Sequence, residues 1–146
     1  MKGGERQQRV AQGTYRFPRN VRLLKHAAFE RVYREGRRIF SGNLTVFFRN
    51  RDAAEPAENV RVGFTVGRAL GGAVERNRLR RRMREVVRQK LAVLNGPVDV
   101  VINPKKTALT AGFPQLLAEV ERAFTQVRNK SELGRESRDT ENRSRT

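Results

Sequence analysis

The stretch Arg61–Glu85, RVGFTVGRALGGAVERNRLRRRMRE, changes its period halfway. In its first part Val62, Phe64 and Val66 alternate with Arg61, Gly63, Thr65 and Gly67, the two-residue period of a strand with one apolar face. Gly71 and Gly72 then make a turn, after which the apolar residues move to helical spacing. At about 100° per residue, Leu79, Met83, Val86, Val87, Leu91 and Leu94 fall within a sector of about 140°. A helix is therefore expected from about Ala73 to Leu94, where Asn95-Gly96-Pro97 stops it. A strand that feeds a long amphipathic helix through a glycine turn is the centre around which the rest of the chain is read.

Upstream, Leu24, Ala28, Phe29, Val32 and Tyr33 recur at helical spacing, with Gly36 as a C-terminal stop. Ile39 to Arg49 is extended, with Leu44, Val46 and Phe48 alternating against Asn43, Thr45 and Phe47; whether it forms one strand or two stays open. NRDAAEPAEN (50–59) reads as a polar loop. Downstream, VDVVIN (98–103) is a short, largely apolar strand expected at the centre of the sheet, and NPKKTALTAG is a connection. A last helix from about Phe113 to Arg128 places Leu116, Leu117, Val120, Phe124 and Val127 on its buried side. The 146 residues suit one domain. The expected fold is α+β over residues 16–128, with helices on one face of a mostly antiparallel sheet. Residues 1–15 read as a disordered basic arm. Residues 129–146 read as a disordered tail, too poor in apolar residues to offset the entropy of ordering.

Charge narrows the function. The chain carries 32 Lys and Arg against 15 Asp and Glu, a formal net charge of +17, and only six of the 32 cations are lysine. A chain so cationic repels itself unless a polyanion shares its surroundings. Arginine's planar fork suits phosphate and stacks on bases, so nucleic acid is the expected partner ahead of an anionic membrane. With no cysteine, a disulfide framework and a Cys-based zinc site are excluded. No apolar run approaches the roughly 20 residues that span a bilayer, and the first residues lack a signal-peptide core. The expected setting is soluble and cytoplasmic.

On the long helix, Asn77, Arg81, Arg84 and Arg88 form one stripe opposite the apolar sector, with Arg78 and Arg82 to one side and Arg80 to the other. A solvated face usually mixes signs to gain pairs at i,i+4, whereas this one sets seven arginines against Glu75 and Glu85. Arg78–Arg82, Arg80–Arg84 and Arg84–Arg88 are like-charge pairs that weaken the free helix by a few tenths of a kcal/mol each. Such a face is better matched to phosphates. On the sheet, Asn43, Thr45, Phe47, Arg61, Gly63 and Thr65 look away from the Leu44/Val62 face. They form either an ordinary solvent face or a groove in which Phe47 stacks a base, Arg61 meets phosphate and Gly63 allows close approach. Phe29 and Tyr33, on spacing alone, belong to the core. The single histidine, His26, has no partner for acid–base chemistry, and the acids are scattered, so no catalytic group or metal site is assigned.

The run Arg61–Glu85 also resembles the signature of the protein subunit of bacterial ribonuclease P, with its glycine turn leading into the Arg76-Asn77-Arg78 start of a basic helix. FPRNVRLLKHAAFERVYREGRR (17–38) resembles that family's opening segment, and VDVVINPKK (98–106) its late strand and loop. The resemblance implies a left-handed strand–helix–strand crossover, as in a ribosomal-protein domain. It implies a partner, the catalytic RNA, which performs the magnesium-dependent removal of the 5′ leader of precursor tRNA. Magnesium would serve the RNA–protein complex, and no obligate protein partner is implied. Carried over, Arg68, Arg76, Asn77, Arg78, Arg80, Arg81, Arg84 and Arg88 would contact the catalytic RNA. Phe29, Tyr33, Thr45, Phe47, Arg61 and Thr65 would line a cleft for the single-stranded leader, which moves Phe29 and Tyr33 out of the core. The family's Ser and paired lysines after the second strand are replaced here by Gly67, Arg68 and Ala69, leaving Arg68 alone at that corner. The competing reading is a ribosomal or RNA-chaperone protein with no processing role; a basic membrane-surface protein fits less well, because the sheet requires the helix's apolar sector.

Overall fold

The computed structural model describes residues 19–52 and 59–145, with the backbone alone over 132–145. The arm expected at 1–15 lies outside the described residues. Among the described residues three α-helices, α1 (His26–Glu35), α2 (Ala73–Lys90) and α3 (Phe113–Arg145), accompany strands β1 (Arg37–Phe40), β2 (Leu44–Asn50), β3 (Arg61–Phe64) and β4 (Val98–Pro104). The strands form one sheet in the order β1-β2-β4-β3. β1 and β2 pair antiparallel, as do β2 and β4, whereas β3 lies parallel to β4. The extended stretch after α1 is thus two strands of a hairpin, and α2 is the crossover between the parallel pair. Among the described residues no helix is long and apolar enough to cross a membrane.

Period decides which residues meet. Leu44, Val46 and Phe48 of β2, Val62 of β3 and Val98, Val100 and Ile102 of β4 turn to one face of the sheet. There they meet Leu79, Met83, Val86 and Val87 of α2 and Leu116, Val120, Phe124 and Val127 of α3. These α2 residues are all fully buried, as their spacing predicts.

The expectation of helices on one face holds for α2 and α3 but not for α1. On the opposite face Leu23, Val32 and Val101 form a second, smaller cluster against which Ala28, Phe29 and Phe47 pack. The cause is β4, whose consecutive Val100, Val101 and Ile102 carry apolar side chains to both faces, as strands covered on both sides do.

Gly36 ends α1 as expected, for a different reason. Its φ of −86° is ordinary, but a Cβ there would lie 2.3 Å from the Val32 carbonyl oxygen and 2.5 Å from that of Phe48. Close backbone approach, not a left-handed turn, requires glycine. Gly71, at φ 130°, and Gly96, at φ 78°, are positions that need glycine's conformational freedom.

The last helix runs past its expected end at Arg128. α3 continues to Arg145, and side-chain packing extends at least to Ser131, which is fully buried. No proline follows Pro114 to interrupt the helix.

Candidate nucleic-acid interface

The arginines of α2 divide according to what lies within reach. Asn77, Arg81 and Arg84 of the predicted stripe are exposed, as is Arg78 beside it. Arg80 is half-buried and donates to Asn77 Oδ1 at 2.9 Å, so it stiffens the stripe's first turn. Arg82 turns inward and donates to the carbonyls of Ala108 and Leu109 at 3.0 and 2.9 Å, holding the 3-10 turn Lys106–Leu109 against the helix.

Arg88 does not join the outward stripe. Its side chain is 8% exposed and ion-paired with Glu85, and its Nε donates to the same carboxylate at 3.1 Å. That hydrogen bond, with one from Gln89, outweighs burial and holds the Glu85 carboxyl below the usual range. Arg76 is half-buried with its Nε lacking a hydrogen-bond partner. The helix is already formed at this residue, since the Arg76 amide donates to the Gly72 carbonyl at 3.0 Å. Arg68 is exposed in the short 3-10 turn ahead of α2.

The second region is the sheet face that carries α1. Tyr33 and Phe47 meet edge to face, centroids 4.8 Å apart and planes at 82°. The Tyr33 hydroxyl lies 2.5 Å from Thr65 Oγ1 and donates to Asn103 Oδ1 at 2.9 Å, which fixes the ring's height above the sheet. Thr45 sits opposite Asn103 in the β2–β4 register. Phe29 lies over Gly63, where a Cβ would come within 2.4 Å of its ring; the close approach that Gly63 permits is therefore to Phe29. Phe29 is half-buried and packs against the smaller cluster.

Two residues expected in the groove are placed otherwise. Arg61 is no bare cation: its Nε and Nη2 bond both oxygens of Asp99 at 2.8 Å. Asp99 also accepts from buried Arg51, so a carboxylate 1% exposed is compensated by two guanidiniums. Asn43 is buried in the β1–β2 turn, where its backbone N–H donates to Glu119 at 2.8 Å and its side-chain amide donates at 2.5 Å. Burial pushes the Glu119 carboxyl up, but hydrogen bonds from Ser41 and Asn43 prevail and hold it below the usual range.

The sequence reading missed Asn103 and Arg38. Asn103 lies two residues beyond Val101 on β4 and so shares its face, a signal present in VDVVIN. Arg38 became placeable only once β1 separated from β2. A cavity of about 140 Å³ joins the two regions, with Phe29 and Gly63 on one side and Arg22, Arg80 and Arg84 on the other. His26 is exposed and lies 3.1 Å from the Glu30 carboxylate. Among the described residues no three His, Cys, Asp or Glu side chains cluster as metal ligands would. The two buried carboxylates, Asp99 and Glu119, are already surrounded by donors.

A family model described as Ribonuclease P matches residues 17–128. The chain is 37% identical over 115 residues to the Ribonuclease P protein component of Acidothermus cellulolyticus, covering 77% of this chain and 94% of that protein. It is 38% identical over 103 residues to the component from Symbiobacterium thermophilum, covering 70% and 87%. Among solved structures, the RNase P protein from Thermotoga maritima superposes with a TM-score of 0.62 at 25% identity, covering 72% of this chain and 96% of that one. The Staphylococcus aureus RNase P protein shares the fold, with a TM-score of 0.60 at 24% identity over 70% and 90%.

Proposed function

Because the chain belongs to the ribonuclease P protein family, we propose that it grips RNA at two places, the catalytic RNA along α2 and the 5′ leader of precursor tRNA in the cleft. The observation that carries this reading is the pairing of unlike surfaces on one rigid unit. Arg78, Arg81 and Arg84 stand outward as cations matched to a duplex or folded backbone. Tyr33, Phe47, Thr65 and Asn103 form a ringed, hydrogen-bonding groove suited to unpaired bases, which stack on aromatic faces with little regard to sequence.

The protein's share of the reaction is positioning. Binding the leader while docked on the catalytic RNA holds the scissile phosphate near the RNA's own reactive groups, and orientation of this kind lowers a barrier without any acid or base from the protein. Arg61 and Arg51 keep Asp99 neutralised beneath the cleft, so that no bare carboxylate repels the leader. Magnesium would supply the hydrolytic chemistry in the RNA–protein complex. The described carboxylates offer no ligand set for it.

Reconstitution with a bacterial ribonuclease P RNA at low magnesium tests the reading. Added protein should increase cleavage of precursor tRNA and lower the magnesium requirement. RNA binding with no gain in cleavage would instead favour an RNA-chaperone role and reject the assignment.

A further inference from the structure

The cleft does not end at Phe47. β1 is an edge strand of the sheet, and its side chains alternate: Ile39 enters the main core while Arg38 and Phe40 turn to the cleft face. Arg38 stands directly opposite Phe47 in the β1–β2 register. Its guanidinium carbon lies 5.9 Å from the Phe47 ring centroid and 5.5 Å from that of Phe40. Among the described residues Arg38 has no carboxylate partner. Phe40, 69% exposed, is a large ring left in water at the margin of the sheet. Tyr33, Phe47, Arg38 and Phe40 thus form an unbroken row, ring, ring, cation, ring, from α1 to the sheet edge.

We infer that this row extends the single-strand track beyond the cleft, with Phe40 as a stacking shelf for one further base and Arg38 as the contact for the phosphate beside it. The inference rests on the cleft reading and adds a position to it. A single-stranded nucleic acid fits the row better than a protein strand does. Cations alternating with rings match phosphates alternating with bases, whereas a second copy of β1 would bring Arg37 and Arg38 against their like. The edge position explains why the contact reads length rather than sequence: a leader too short to reach β1 leaves Phe40 empty.

The test uses the full chain in the reconstituted ribonucleoprotein and two precursor tRNAs, one with a leader ending within the cleft and one several nucleotides longer. Phe40→Ala should weaken binding of the long-leader substrate by about five- to tenfold, the low end of base–aromatic stacking for an exposed ring. The short-leader substrate should bind unchanged, and Phe40→Trp should restore the long-leader affinity. Arg38→Gln should lower the salt slope for the long leader alone by about 0.7. Equal losses for both substrates, or none, overturn the shelf. Phe47→Ala separates the two readings: weaker binding of both substrates upholds the cleft whatever Phe40 does, and no loss sinks cleft and shelf together. A change in self-association by sedimentation, in place of a change in RNA affinity, would give the edge to a second copy of the chain and reject the track.

Discussion

Arg81 and Arg82 are neighbours on one helix and have opposite fates. Arg81 points into solvent with Arg78 and Arg84, whereas Arg82 bonds two backbone carbonyls of the turn before α3. The same division runs through the molecule: Arg88, Arg61 and Arg51 are bound to Glu85 and Asp99, as though belonging to a different protein from the outward stripe. A count of cations therefore overstates the surface offered to a polyanion. What decides each arginine is whether a carboxylate or an unpaired carbonyl lies within reach of its fork.

The sharpest way to break this division is at Asp99. Asp99→Ala leaves Arg51 and Arg61 without their counter-charge at a buried site, a loss of about 3–5 kcal/mol, read as a lower urea midpoint. The folded fraction should bind RNA no more weakly. A parallel fall in its affinity would show that the inward pair also serves the interface.

The paired substitutions Arg82→Ala and Arg81→Ala come next. Arg82→Ala should cost about 1.5–3 kcal/mol of stability, as charged hydrogen bonds do, and leave the salt dependence of RNA binding nearly unchanged. Arg81→Ala should move stability by no more than about 0.5 kcal/mol and lower the salt slope by about one unit. If the two variants behave alike in both measurements, the inward–outward distinction is wrong.

The smallest effect concerns an acid held by neutral donors instead of arginine. The Glu119 carboxyl lies below its usual value, so its stabilisation is complete above the unfolded value of about 4.3 and vanishes as pH falls through the lower folded value. Glu119→Gln should cost about 1 kcal/mol above roughly pH 5, with the gap closing in acid. A gap independent of pH would mean that its charge is irrelevant to the hairpin.

The core of α2 was readable from spacing because burial of Leu79, Met83, Val86 and Val87 depends only on period. The outward stripe was readable too, apart from Arg88, whose partner Glu85 lies three residues away and offered a visible hint. Arg82 left no such hint, because carbonyl acceptors at Ala108 and Leu109 have no side-chain signature. The pairing of Arg61 with Asp99 was not readable, because Asp99, 38 residues on, becomes its neighbour only through the parallel pairing of β3 with β4. The position of α1 was legible in principle, in the doubly apolar run Val100–Ile102, yet the alternation of β2 drew attention to one face alone.

That pairing has a consequence in time. β4 is the strand to which both β2 and β3 bond, and it is the last of the four to be made. Every arginine of α2 is joined to the chain before Val98–Pro104 exists to organise a sheet, so long-range pairing must wait for the late segment. Until then the chain has charge without shape. Asn103 arrives to meet Tyr33 with the same strand that gives α2 its floor, so cleft and docking helix are completed in one event, and a half-synthesised chain has neither.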